Sequence, residues 1–176
     1  MAEKVPCLEC GKPIDADRAA KRKGLCLRCS AASNSLYLLY NALIERVHHS
    51  PGGFDALSDA EKRYYAVTLF RNEINNGGFD QFFFNSSGSY YDLIENSLAA
   101  FDEPETLELL SRAKQIVFPE TAVPVDVETR RNLMPAPTPE LMNKLDELDQ
   151  RFYRIPDTLS PKLEAFARKQ GLIVTE

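Results

Sequence analysis

The sequence has no tryptophan, and none of its two histidines and four cysteines lies beyond residue 49. The absence of histidine and cysteine after residue 49 excludes a Cys–His nucleophile or a histidine-ligated catalytic metal from that part of the chain. The sequence also lacks a phosphate-binding glycine loop and the H-E-x-x-H and G-x-S-x-G strings of common hydrolases. We therefore predict that the protein is not an enzyme.

Long apolar runs are absent as well. No run approaches the roughly 18 residues that a membrane-spanning helix requires, and the segment Met1 to Lys4 leads into no signal-peptide core. Apart from a short hairpin between the cysteine pairs, no alternating pattern predicts a sheet. The apolar content of 44% and the charged content of 27% are typical of a soluble globular protein. We expect a cytoplasmic, mainly helical protein.

Charge divides the sequence into two parts. Residues 1–53 contain eight Lys and Arg against five Asp and Glu, whereas residues 54–176 contain 13 against 21. The net charge of −5 therefore combines a basic N-terminal part with an acidic remainder. Such a division indicates two modules with different partners.

All cysteines lie in two C-x-x-C pairs, Cys7 with Cys10 and Cys26 with Cys29, separated by fifteen residues. Two such pairs supply the four thiolates of a tetrahedral zinc site. We predict a structural Zn²⁺ in a module that resembles a zinc ribbon or a treble clef. Iron is an alternative for four thiolates, whereas a redox role is disfavoured because no thioredoxin-like βαβ pattern surrounds the pairs.

Turn and helix signals surround the cysteines. Gly11 and Gly24 predict a tight knuckle and a hairpin with residues 21–23 near its tip. Apolar residues at helical spacing predict one helix from about Ser30 to His48. We divide the chain into a four-cysteine module at 1–35, a connecting helix and linker at 36–53, and an acidic helical domain at 54–176.

The pattern of residues 54–176 predicts a bundle-like helical domain. Ser58 to Glu61 form a capping box, which predicts a helix that ends at Gly77. Further helices are predicted at 90–101, from Pro104, from Pro139, and from about Ser160 to Gly171, with a short helix within 125–133.

One dense motif lies between Glu73 and Gly88. It combines glycines that stop a helix, aromatic residues at helical spacing, and amides that need hydrogen-bond partners. We predict that it connects two helices and a turn. Its structural residues are Glu73, Asn76, Gly77, Gly78, Phe79, Gln81, Phe82, Phe83, Asn85 and Gly88.

This motif closely resembles the signature of the bacterial DNA-mimic protein family. The resemblance extends from about Leu57 to Leu172 and includes a second string from Leu145 to Tyr153. It implies an all-helical domain that binds a protein partner and forms a homodimer. It also implies that surface carboxylates imitate DNA phosphates and thereby occupy the DNA site of a DNA-binding protein. The candidate partner-binding acids are Asp102, Glu103, Glu105, Glu108, Asp146, Glu147 and Asp149.

Two alternatives to a DNA mimic remain open. In the first, the basic N-terminal module is a zinc-dependent adaptor for nucleic acid or protein through Lys12, Arg18, Lys21, Arg22, Lys23 and Arg28. Direct nucleic-acid binding is not expected of the acidic domain. In the second, Glu73 and Asp80 form a metal-assisted hydrolase site, for which we would expect a concave pocket with raised carboxylate pKa values.

Overall fold

The structure is a computed structural model that describes residues 3–32 and 34–173. It is mainly α-helical, as predicted, with a small cysteine-containing module at the N-terminus. The strands and α-helices in these residues are β1 Lys4–Pro6, β2 Pro13–Asp15, α1 Ala16–Lys21, α2 Leu27–Ala32, α3 Ser35–His49, α4 Asp59–Phe84, α5 Tyr91–Ala100, α6 Pro104–Val117, α7 Val127–Leu133, α8 Pro139–Arg154 and α9 Leu159–Lys169. Short 3-10 helices lie at Gly53–Ala56 and Ser86–Tyr90.

The hairpin lies earlier in the chain than predicted. Strands β1 and β2 pair antiparallel with Val5 opposite Ile14, and they enclose the first cysteine pair and Gly11. Residues 21–23 are therefore not at a hairpin tip, because helix α1 occupies the segment that leads to them. The prediction failed because the six residues of α1 form about 1.7 helical turns where a strand was expected.

The helix predicted from Ser30 to His48 is instead two helices, α2 and α3. Asn34 begins the second one, because its side-chain oxygen accepts the backbone N–H groups of Leu36 at 3.0 Å and Tyr37 at 3.1 Å. Such a cap satisfies amides that a new helix leaves without partners. Helix α3 then packs on α4, where the hydroxyl of Tyr64 donates to the carbonyl of Leu36 at 3.2 Å.

Helix α4 contains the break that its glycines predicted. Ser58 and Glu61 form the predicted capping box at its start. Gly77 and Gly78 are not helical, and helical geometry resumes at Phe79. Gly78 has φ 76° and ψ −171°, a region that is nearly restricted to glycine.

The remaining helices begin close to the predicted residues. Pro104 and Pro139 occupy the first turns of α6 and α8, and the Thr138 hydroxyl accepts the N–H of Leu141 at 3.2 Å. Helix α9 begins one residue before Ser160. No helix in the described ranges combines the length and apolar character that crossing a bilayer demands.

The core lies where both halves of α4 meet the surrounding helices. Phe79, Phe82 and Phe83 are fully buried, as their spacing predicted, and so is Phe70 of the same helix. The rings of Phe70 and Phe82 lie edge-to-face at 5.2 Å, and Phe118 closes the cluster 5.5 Å from Phe83. Edge-to-face pairs add to the stabilisation from burial, so this cluster fixes the geometry of the glycine break.

Candidate functional site: a four-cysteine centre and an acidic surface

The four cysteines form one cluster in the N-terminal module. Their sulfur atoms all lie within 4.8 Å of one another, and no disulfide joins them in the described residues. The sulfurs of Cys10 and Cys26 are 3.8 Å apart. Four sulfurs bound at about 2.3 Å to one tetrahedral zinc ion are also about 3.8 Å apart, so the cluster has a geometry that can hold a metal ion.

Backbone amides support thiolates at this centre. The N–H of Cys26 donates to the sulfur of Cys7 at 3.2 Å, and the N–H of Cys29 donates to that of Cys26 at 3.4 Å. Hydrogen bonds from the backbone, with that of Cys10 the strongest, lower the pKa of Cys7 to about 6. Such donors stabilise the charged sulfur that a metal requires.

The glycine break in α4 is joined to helix α8 through Asp149. The carboxylate of Asp149 accepts the N–H of Phe79 at 2.9 Å, which caps the restarted helix. A Cβ on Gly78 would lie 2.6 Å from the Asp149 carboxyl carbon, so glycine is required there. Burial is the main reason why the pKa of Asp149 is raised to about 6, and the charges of Asp146 and Asp80 raise it further.

The polar residues of the motif bond to one another. One carboxylate oxygen of Glu73 accepts the side-chain amides of Gln81 at 2.7 Å and Asn85 at 3.0 Å. Asn76 is exposed, and its side chain forms no hydrogen bond within residues 3–32 and 34–173. The predicted hydrolase site gains no support from this geometry, because Glu73 is already the acceptor that holds the motif together.

The last glycine of the motif lies against Arg130, a fully buried residue of α7. The Arg130 guanidinium donates to the carbonyls of Phe83 at 2.7 Å, Asn85 at 2.5 Å and Pro124 at 2.7 Å. A Cβ on Gly88 would lie 2.7 Å from its Nε atom. These neutral acceptors attach the turn after α4 to the following long loop.

The structure corrects the prediction that Glu103 is a surface acid, because its side chain is only 4% exposed. It lies 2.8 Å from the ammonium group of Lys162 and accepts the hydroxyl of Thr158 at 3.0 Å. The Oε1 atom of Glu103 accepts no hydrogen bond in the described residues, but its ion pair with Lys162 compensates its charge. Buried carboxylates persist when paired in this way, and Glu103 is therefore not available to a partner.

Glu103 also lines a cleft of about 390 Å³ between α4, α6 and the segment that leads into α9. The other charges in its wall are paired as well. Arg71 donates to the Ser160 hydroxyl and lies 4.0 Å from a carboxylate oxygen of Asp157. The cleft therefore presents paired charges to any ligand.

The three remaining acids of the Asp102 to Glu108 group are exposed, and one of them, Glu108, stands between two arginines. Glu108 lies 3.5 Å from Arg112 and 3.4 Å from Arg151. Glu105 shares a shallow surface cavity with Arg151 and Arg154. Asp102 precedes α6 rather than lying on it. Glu108 is therefore neutralised and Glu105 lies near arginines, whereas neither Glu105 nor Asp102 forms an ion pair in the described residues.

Asp146 and Glu147 differ from that group. Both are exposed on α8, and neither forms an ion pair in the part of the chain that the structure describes. Asp149 lies on the same helix but is half-buried against Gly78, which corrects its predicted outward position. Asp80 lies near enough for its charge to act on Asp149. We call Asp80, Asp146 and Glu147 the acidic surface.

Sequence patterns did not identify the groups that pair with the motif. The contact of Arg130 with the motif has no local signal, because its motif partners Phe83 and Asn85 are 47 and 45 residues away in the chain. The only available signal was indirect. A motif with many acceptors and little positive charge of its own needs donors from elsewhere.

The fold, the cysteine cluster and the glycine break define a mainly helical protein with a small four-cysteine module at its N-terminus. A comparison with protein families matches residues 55–170 to the family described as DMP19-like protein. The chain belongs to this family, which is the DNA-mimic family that its motif resembles. Searches of curated proteins and of solved structures give no match.

Proposed function

We propose that the protein binds a DNA-binding protein and presents the acidic surface, formed by Asp80, Asp146 and Glu147, in place of DNA phosphates. Membership of the DNA-mimic family supports a protein-binding role of this kind. The observation that supports this particular surface is that Asp146 and Glu147 are exposed without cationic partners in the described residues.

Electrostatics favours this surface over Glu105 and Glu108 of α6. Glu108 stands beside Arg112 and Arg151, and Glu105 shares a shallow cavity with Arg151 and Arg154. A cationic DNA site brought to these acids would also meet the arginines and would be repelled by them. Like charges brought together at an interface cost several kcal/mol, so neutralised acids are poor mimics of phosphate.

The acidic surface has a rigid support. Asp149 joins α8 to the glycine break of α4, and the hydroxyl of Tyr153 donates to the Ile74 carbonyl at 2.9 Å. These two contacts hold Asp146 and Glu147 on α8 at a fixed distance from Asp80 on α4. Preorganised charges bind with a smaller entropy cost than charges on a mobile loop.

The N-terminal module has a separate role in this proposal. Zn²⁺ held by Cys7, Cys10, Cys26 and Cys29 would supply the stability that so short a segment cannot obtain from an apolar core. We assign no catalytic step to it. The division into a module at 1–35, a connecting helix at 36–53 and a domain from 54 is part of the same proposal.

The test is capture of a partner by the immobilised, zinc-loaded protein from a lysate of its source. Proteins retained at low salt are eluted with duplex DNA and identified, and each is then produced and tested alone. We expect a DNA-binding protein whose complex is dissociated by duplex DNA and weakens as salt rises.

Matched variants assign the complex to a surface. Asp146→Asn with Glu147→Gln removes two charges from the acidic surface, and Glu105→Gln with Glu108→Gln removes two charges that lie beside arginines. We expect the first pair to weaken binding about tenfold and the second less than about twofold. Equal effects, or a complex that duplex DNA does not displace, would contradict the proposal.

A further inference from the structure

The N-terminal module contains a groove that the acidic surface does not explain. Its volume is about 840 Å³, and it extends from the hairpin past the cysteine cluster to the start of α3. We call it the basic groove. Its walls include five cationic side chains and one aromatic side chain, which are those of Lys4, Lys12, Arg18, Arg22, Arg28 and Tyr37.

The groove is positively charged even with a metal in place. Asp15 is the single carboxylate among its wall residues. None of the five cations forms an ion pair with a carboxylate in residues 3–32 and 34–173. Zinc bound by four thiolates leaves two negative charges. Five positive charges therefore exceed all negative charge at the groove, and a polyanion is the complementary ligand.

An exposed aromatic ring narrows the class of polyanion. Tyr37 is 49% exposed although it lies in the groove wall. Leu27, which is 68% exposed, lines the same groove. Bases of unpaired nucleic acid stack on such rings, whereas the bases of a duplex are stacked on each other and cannot.

We propose that the basic groove binds a segment of single-stranded nucleic acid, with phosphates on the five cations and a base on Tyr37. The site is independent of the acidic surface and of any protein bound there. The basic residues of this module fall into two sets, because Lys21 and Lys23 are not among the residues that line the groove. That separation provides a matched control.

The test measures fluorescence anisotropy of a labelled single-stranded oligonucleotide of about twelve residues with the full-length, zinc-loaded protein. Arg18→Gln with Arg22→Gln removes two charges from the groove, and Lys21→Gln with Lys23→Gln removes two from its outside. We expect a loss of affinity of at least tenfold for the first pair and less than twofold for the second.

Two further measurements separate phosphate contacts from base contacts. The groove pair should make the slope of log affinity against log salt shallower by about 1.4, since each lost phosphate contact on a single strand contributes about 0.7. Tyr37→Ala should lower affinity about tenfold and leave the salt slope unchanged. Each variant must bind one metal ion per chain. If the variant with Arg18→Gln and Arg22→Gln does not, the variant with Lys12→Gln and Arg28→Gln takes its place.

Several outcomes would overturn the proposal. Equal losses from both arginine and lysine pairs would show that net charge alone attracts the oligonucleotide. Tighter binding of a duplex of the same length, or equal binding of a polyglutamate peptide, would assign the groove to another class of partner. At 50 mM salt the screening length is about 14 Å, so charge interactions are only weakly screened. Absence of binding under this condition would exclude a nucleic-acid site.

Discussion

The Oδ1 atom of Asp149 lies 2.9 Å from the backbone nitrogen of Phe79 and accepts its N–H. These residues are seventy positions apart, and their contact places a half-buried carboxylate at the start of a helix segment. The hydrogen bond stabilises the charged form of Asp149, while burial and the charges of Asp146 and Asp80 oppose it. The balance raises its pKa from 3.8 to about 6.

Asp149 should therefore make stability depend on pH. The folded state binds this proton more tightly than the unfolded state, so its contribution to stability is lost as pH rises from about 4 through about 6. Asp149→Asn keeps an oxygen that can accept the Phe79 N–H and removes the titration. We expect the variant to gain stability relative to the wild type over this interval, as measured by urea unfolding at several pH values. An unchanging difference would contradict the assignment.

Gly78 should tolerate no side chain. Gly78→Ala places a methyl group into the Asp149 carboxylate and strains a backbone with φ 76°. We expect a loss of about 2–4 kcal/mol in the free energy of unfolding. Gly171→Ala is the control, because that glycine also has positive φ but has no atom within 4 Å of an added Cβ. It should cost about 1 kcal/mol, and equal losses would show that the Asp149 contact is unimportant.

Arg130 should be essential for stability. Arg130→Gln leaves the carbonyls of Phe83, Asn85 and Pro124 buried without their charged donor. We expect a loss of about 3–5 kcal/mol in chemical denaturation. Arg131→Gln is the matched control, since exposed Arg131 donates to a single carbonyl, that of Phe84, at 2.8 Å. A similar loss from both variants would show that Arg130 has no special role.

Metal removal should affect the two modules differently. A chelator that extracts the ion should unfold the cysteine module while leaving the cooperative melting of the helical domain in place. Elemental analysis of the purified protein should find one zinc per chain, and loss of one ligand in Cys26→Ser should abolish binding. A strong visible absorbance with bound iron would instead assign a different metal to the four thiolates.

The homodimer implied by the family resemblance is still a prediction, as a single chain does not test it. Light scattering should give twice the mass of one chain at micromolar concentration. Measurements with the variant that combines Asp146→Asn and Glu147→Gln show whether the acidic surface lies in the dimer interface. An unchanged dimer would leave this surface free for a protein partner, whereas loss of the dimer would contradict its proposed role.

Sequence alone identified the features that depend on near neighbours. The capping box at Ser58, the proline starts of α6 and α8, the glycine break and the paired cysteines all involve residues within a few positions of each other. Local hydrogen bonds and dihedral preferences decide such features wherever the chain folds. One local signal was missed, because Asn34 begins a new helix within a continuous apolar pattern.

Tertiary structure alone decided which acids face solvent and what the motif contacts. Glu103 is buried beside Lys162, Glu108 is paired with Arg151, and Asp149 caps Phe79, although all three appear equally acidic in the sequence. Burial and pairing depend on residues 43 to 70 positions away, which no helical period encodes. A carboxylate's charge is specified by the sequence, but its availability is determined by packing.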